Sequence, residues 1–232
     1  MRVLVGTSGY SYAEWKGTFY PEDLPASKML RYYGERFPTV EANGTFYRMP
    51  SEKALAGWTK QVPEEFVFAV KAPQRITHQL RLVDAGDALG HLCSVTEVLG
   101  ARRGPFLFQL PPFLKKDLSR LTDFLALLPA GVLAAFEFRH ATWFDDETYA
   151  ALRARNAALV ISESEKLAAP VVATADWGYL RLRREDYVDA DLASWSERIS
   201  AQPWQRAFVY LKHEESGMGP RLAARLTELL AR

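Results

Sequence analysis

Two glutamates, a lysine and several arginines occupy matching places in short apolar segments of the chain. Read as a strand, Ala134–His140 turns Phe136 and Phe138 to one face and Glu137 and Arg139 to the other, because strand side chains alternate. The same alternation puts Glu41 with Asn43, carries Lys71 on the face of Val67 and Ala69, and sets Gln109 apart from Phe108 and Leu110. It groups Tyr179, Arg181 and Arg183 against Leu180 and Leu182, while Glu163 and Lys212 close two further segments. Two carboxylates at one mouth suit general acid–base work, and a glycosidase pair needs about 5–10 Å between them. A buried lysine with a lowered pKa suits Schiff-base chemistry, whereas an ion pair with a glutamate would raise that pKa. Glu41, Glu137 and Lys71 are the candidate catalytic residues.

The segments that carry these residues are Val3–Gly6, Thr39–Asn43, Phe66–Lys71, Phe106–Leu110, Ala134–Arg139, Ala158–Glu163, Tyr179–Arg183 and Phe208–Lys212. They read as buried strands. Helical patterns lie between them, at Ser27–Phe37, Ser51–Gln61, Asp87–Leu99, Asp117–Leu128, Asp145–Arg155, Asp191–Ile199 and Arg221–Leu230. Ser51 and the opening aspartates are good N-caps. The sixth connection, Ser164–Ala175, has Pro170 and no helical pattern. Eight strands alternating with seven helices predict one α/β domain over residues 1–232, a (β/α)8 TIM-like barrel with an irregular sixth connection. A doubly wound open sheet is the second choice, but no GxGxxG or P-loop follows the first strand.

In a barrel the polar residues fall late in their strands, over an expected apolar floor of Val5, Val67, Leu107, Ala135 and Ile161. Active sites of such barrels lie at that C-terminal mouth. Lys71, Arg139, Arg181, Arg183 and Lys212 outnumber Glu41, Glu137 and Glu163 there, which favours an anionic ligand such as a phosphate, since arginine forks bind its oxygens bidentately. The predicted ligand-binding set adds Ser8 and Tyr10 in the small polar loop after the first strand, Asn43, Tyr47, His78, Gln109, His140 and Trp143 to Arg139, Arg181 and Lys212. The aromatics of these loops suit stacking on a base or a sugar, or simply packing the loops together. Ser8 has no triad context. His78, His140 and His213 are metal-ligand types, but interleaved lysines and arginines oppose a cation, so no metal is expected and no cofactor is indicated.

A net charge of +1 offers no global field for nucleic acid or membranes. The lone Cys93 excludes an internal disulfide and fits a reducing compartment. Met1–Gly6 is too short an apolar start for a signal peptide, and no apolar run reaches the roughly 18–20 residues of a membrane span. A cytoplasmic protein without a membrane partner is expected.

Distinctive motifs run along the chain: Gly6-Thr7-Ser8-Gly9-Tyr10 with Trp15, Gly17 and Phe19-Tyr20-Pro21, then Val40-Glu41-Ala42-Asn43-Gly44-Thr45-Phe46-Tyr47 with Pro50. Phe68-Ala69-Val70-Lys71-Ala72, Ile76-Thr77-His78, Phe108-Gln109-Leu110-Pro111-Pro112 and Glu137-Phe138-Arg139-His140 with Trp143 follow. With these the sequence resembles the YecE-like family, also called domain of unknown function 72, over essentially its whole length. The resemblance implies a (β/α) barrel whose activity is not established. Its distant similarity to endonuclease IV-like and xylose isomerase-like barrels raises nucleic-acid or sugar chemistry by fold analogy alone. Where that family often ends its seventh strand in Arg-Leu-His-Gly, this chain has Arg181-Leu182-Arg183-Arg184. Where the eighth often carries Phe-Asn-Asn, it has Leu211-Lys212-His213-Glu214. Three functions follow: binding of, and catalysis on, a phosphorylated or otherwise anionic small molecule; nucleic-acid binding or processing; or a non-catalytic ligand-binding barrel. The last gains if the mouth carboxylates are fully paired and shielded from solvent.

Overall fold

A computed structural model describes residues 1–163, 167–213 and 217–231. Eight parallel strands close into a barrel in chain order. They are β1 (Arg2–Ser8), β2 (Thr39–Ala42), β3 (Val67–Lys71), β4 (Arg103–Gln109), β5 (Ala134–Glu137), β6 (Ala158–Glu163), β7 (Trp177–Leu182) and β8 (Arg206–Leu211). Closure comes from β8 pairing β1 along Arg206–Leu211. The open-sheet alternative is thereby excluded.

Among the described residues seven α-helices cover the strands: α1 (Ala26–Gly34), α2 (Glu52–Thr59), α3 (Gly86–Thr96), α4 (Leu118–Leu127), α5 (Asp146–Arg153), α6 (Asp189–Ser200) and α7 (Met218–Leu230). Local chemistry sets several starts. Ser51, Asp117 and Asp145 each accept a hydrogen bond from the backbone three residues on, which satisfies one of the orphan N–H groups of α2, α4 and α5. Between β6 and β7, residues 167–175 form no helix. Ser164, Glu165 and Lys166 of that connection, and Glu214 after β8, lie outside the described residues.

Two apolar cores result. The larger lies between strands and helices and includes Phe68, Phe108, Phe136 and Leu182. The smaller fills the barrel with Leu4, Val67, Ala69, Leu107, Ala135, Ala158, Val160, Trp177, Tyr179, Phe208 and Tyr210. Val67, Leu107 and Ala135 thus line the interior as expected, but Val5 and Ile161 belong to the outer core. The reason is that Val3-Leu4-Val5 and Leu159-Val160-Ile161 are apolar on both faces, so no polarity marks which parity points inward. A one-residue slip moves a whole strand's pattern, and it carries Glu163 with it. Glu163 faces the helical layer, where it accepts hydrogen bonds from Tyr187 and from the Trp195 indole at 3.0 Å.

Gly6 sets how closely β1 approaches β2. A Cβ at this position would sit 2.1 Å from the Thr39 carbonyl oxygen. Gly6→Ala is expected to push the strands apart and cost about 1–3 kcal/mol, as overpacking does. Urea denaturation should show a lowered midpoint with an unchanged m-value, and an unchanged midpoint would contradict the close approach. Among the described residues no helix is long and apolar enough to cross a membrane.

Candidate functional site

Six strands contribute to one hydrogen-bonded network around a buried guanidinium. Arg181, on β7, is almost wholly enclosed, as are Glu41 on β2 and Glu137 on β5. Its Nε and Nη2 donate to Glu41 Oε1 at 3.2 and 2.9 Å, and its Nη1 donates to Glu137 Oε2. The two carboxylates therefore hold opposite sides of one fork. Ser8, ending β1, donates to Glu41 Oε1 and accepts from Asn43 Nδ2 at 2.7 Å and from Arg181 Nη2 at 3.3 Å. Tyr179 donates to Glu41 Oε2 at 2.7 Å. On the other side, Gln109 Nε2 donates to Glu137 Oε2 at 2.8 Å, and its Oε1 accepts from Lys71 Nζ at 3.0 Å. Arg139 Nε and Arg183 Nη1 lie 3.3 and 3.8 Å from Glu137 Oε1.

The electrostatics follow from this packing. Burial alone would raise the Glu137 carboxyl, but Arg181, Arg183, Arg139 and the Gln109 amide outweigh it and hold it at about 2. Burial would likewise discharge Arg181, yet Glu137 and Glu41 keep its pKa above the ordinary value. Lys71 behaves oppositely. Burial and then Arg181 push its amine down to about 8, and Arg139 adds to this against the pull of Glu41 and Glu137. His78 is lowered by burial and by the neighbouring Lys71 and Arg139. Arg183 is lowered mainly by burial.

Of the residues singled out in the sequence, Ser8, Glu41, Asn43, Lys71, Gln109, Glu137, Arg139 and Arg181 form this one network. His78 stands beside it through Phe46, whose ring lies 5.0 Å from the imidazole and 4.2 Å from Lys71 Nζ. Tyr47 is on the same loop, 78% exposed. Tyr10 and Asn43 also border a side cavity of about 750 Å³, with Tyr12, Arg48, Met49 and Trp58 on its wall. Lys212 is exposed just past β8. His140 caps a short 3-10 turn, its Nδ1 against Thr142. Trp143 is not at the mouth: it is fully buried, stacked on Phe138 at 4.6 Å, and its indole donates to the Leu114 carbonyl at 2.8 Å. Glu163 is likewise outside the network, turned away by the parity of β6. Strand alternation turns Tyr179 inward but does not mark it as the partner of Glu41. Nothing in the sequence pairs residues 138 positions apart across a barrel. Among the described residues no three His, Cys, Asp or Glu side chains are grouped to hold a metal ion.

Fold and site together define a (β/α)8 barrel with a cation-rich charge cluster at the C-terminal ends of its strands. Residues 4–232 match the family described as "Protein of unknown function DUF72", and the chain belongs to that family. It is 32% identical over 116 residues to the UPF0759 protein YecE of Escherichia coli, covering 50% of this chain and 43% of that protein. It is 28% identical over 155 residues to the UPF0759 protein YunF of Bacillus subtilis, covering 63% and 54%. The matched stretch thus spans about half the length of these curated relatives. A crystal structure of a DUF72 family protein from Thermotoga maritima superposes with a TM-score of 0.89 at 27% identity, covering 100% of both chains. One from Enterococcus faecalis gives 0.83 at 17% identity, covering 99% and 96%, which bears on the fold alone.

Removing Arg181 would strand two buried carboxylates, so Arg181→Ala is expected to cost about 3–5 kcal/mol in chemical denaturation. Glu137, with a folded pKa near 2 against about 4.3 unfolded, contributes about 3 kcal/mol that is complete above pH 4.3 and lost as pH falls towards 2. Stability measured against pH should therefore fall less steeply across that window in Glu137→Gln than in the parent. Equal slopes would show that Glu137 is not held ionised.

Proposed function

We propose that the barrel mouth binds the anionic group, of phosphate type, of a small molecule. One observation carries this reading. Four cations, Lys71, Arg139, Arg181 and Arg183, surround two carboxylates, an excess of two positive charges when the lysine is protonated. Arg181 is spent on both glutamates. Arg139 Nε and Arg183 Nη1 lie 3.3 and 3.8 Å from Glu137 Oε1, and both side chains are partly open to solvent. Their remaining donors are the natural forks for an oxyanion.

Glu41 and Glu137 fit this function as counter-charges rather than as an acid–base pair. Every carboxylate oxygen already has a partner, and both groups are sealed from solvent. Those features favour the ligand-binding barrel over acid–base catalysis by the glutamates. A nucleic-acid strand is a second reading, favoured by Tyr47, whose ring is exposed beside the mouth as a stacking face.

Isothermal titration with inorganic phosphate should report one site. Arg139→Ala and Arg183→Ala should each weaken it about ten- to hundredfold, the loss of one charged hydrogen bond of about 1.5–3 kcal/mol. Unchanged affinity in both variants removes the proposed site. Single-stranded oligonucleotide binding that falls steeply with salt, and that Tyr47→Ala weakens, would favour the second reading.

A further inference from the structure

We infer that Lys71 is a nucleophilic amine that condenses with a carbonyl carbon of the ligand, so that the mouth takes an aldehyde or ketone bearing an anionic group. The anionic half of this statement rests on the function proposed above. The amine half rests on the surroundings of Lys71 itself.

A lysine among glutamates ordinarily ends as the cation of an ion pair. In this mouth the arginines have taken both carboxylates. Glu41 is filled by Ser8, Arg181 and Tyr179, and Glu137 by Arg181, Gln109, Arg139 and Arg183. Among the described residues no carboxylate lies within ion-pair distance of Lys71. Its nitrogen meets a neutral oxygen, Gln109 Oε1 at 3.0 Å, and the face of Phe46 at 4.2 Å. The charged groups acting on it are Arg181 and Arg139 on one side of the balance and Glu41 and Glu137 on the other, with titratable His78 adjacent. Burial and the arginines prevail and bring the amine to about 8. Near pH 7.5 about a quarter of such an amine is neutral, against about 0.1% for an ordinary lysine near 10.4. The side chain is only partly buried, which leaves it open to solvent.

The step balances without an outside oxidant or reductant. The Nζ lone pair adds to the carbonyl carbon, and the C–O π pair moves to oxygen. A proton passes from nitrogen to that oxygen to give the carbinolamine. The nitrogen lone pair then forms C=N as the hydroxyl leaves as water with a proton from solvent. Gln109 Oε1 accepts one N–H of Lys71 and holds the nitrogen without neutralising it.

The test uses the full chain with one equivalent of pyridoxal 5′-phosphate, an aldehyde carrying a phosphate, near pH 7.5. Borohydride then delivers hydride to any imine carbon and fixes it as a secondary amine, which peptide mass mapping locates. Lys71 should carry the label at least tenfold ahead of exposed lysines such as Lys28 and Lys60. Labelling should rise through about pH 8, fall in excess inorganic phosphate and vanish from this position in Lys71→Arg, which keeps a cation in place. Label spread evenly over surface lysines overturns the inference, whether or not Lys71→Arg folds. Phosphate that binds while Lys71 stays unlabelled also overturns it and leaves the anion site standing. Labelling of Lys71 by neutral pyridoxal, with no phosphate binding, keeps the amine and removes the anion site.

Discussion

A guanidinium buried between two carboxylates is the constraint on which this barrel mouth depends. Arg181 on β7 reaches Glu41 on β2 and Glu137 on β5, so three strands are tied across the lumen by one side chain. Desolvating three charges is costly, and only near-complete hydrogen bonding makes it tolerable. The network supplies this with Ser8, Asn43 and Gln109, each from a strand end or the residue beyond it, and with Tyr179 from within β7. The polar layer sits directly on the apolar filling of the barrel, where Tyr179 and Tyr210 mark the boundary. Below it the lumen is a core; above it the cations face solvent.

The same arrangement divides labour among the cations. Arg181 neutralises and anchors; Arg139 and Arg183 lean on Glu137 while keeping donors to spare; Lys71 is left with a neutral partner. A mouth with the same composition but with Lys71 on a glutamate would hold a permanent ammonium. Thus which cation takes which carboxylate, rather than how many there are, decides the chemistry open to this site.

Much of this was legible in the sequence. Phe136-Glu137-Phe138-Arg139 announces its inward face because polar and apolar residues alternate, and Val67-Phe68-Ala69-Val70-Lys71 does so at its last position. Strand order and closure follow from the regular strand–helix rhythm, and the lack of a helix over residues 167–175 from Pro170 and the lack of a period. Legibility failed for physical reasons. Val5 and Ile161 sit in strands apolar on both faces, so parity had no marker. Trp143 looks the same in sequence whether it lines a ligand or closes the core; only its stacking on Phe138 and its bond to Leu114 distinguish the two. The sharing of Glu41 and Glu137 among partners is a property of barrel closure, which brings β2, β5 and β7 together at distances no local pattern encodes.

Gln109 carries a wider consequence. Its amide donates to a carboxylate with one atom and accepts from an amine with the other, so the group transmits orientation without transmitting charge. Exchange of that amide nitrogen for oxygen, a single-base change in a glutamine codon, would place a carboxylate against Lys71 and turn an insulated amine into an ordinary ion pair. On the reading of Lys71 inferred above, the barrel stands one nucleotide from a version without a free amine. A change of this kind alters the charge state of the mouth without touching the strands or the arginines.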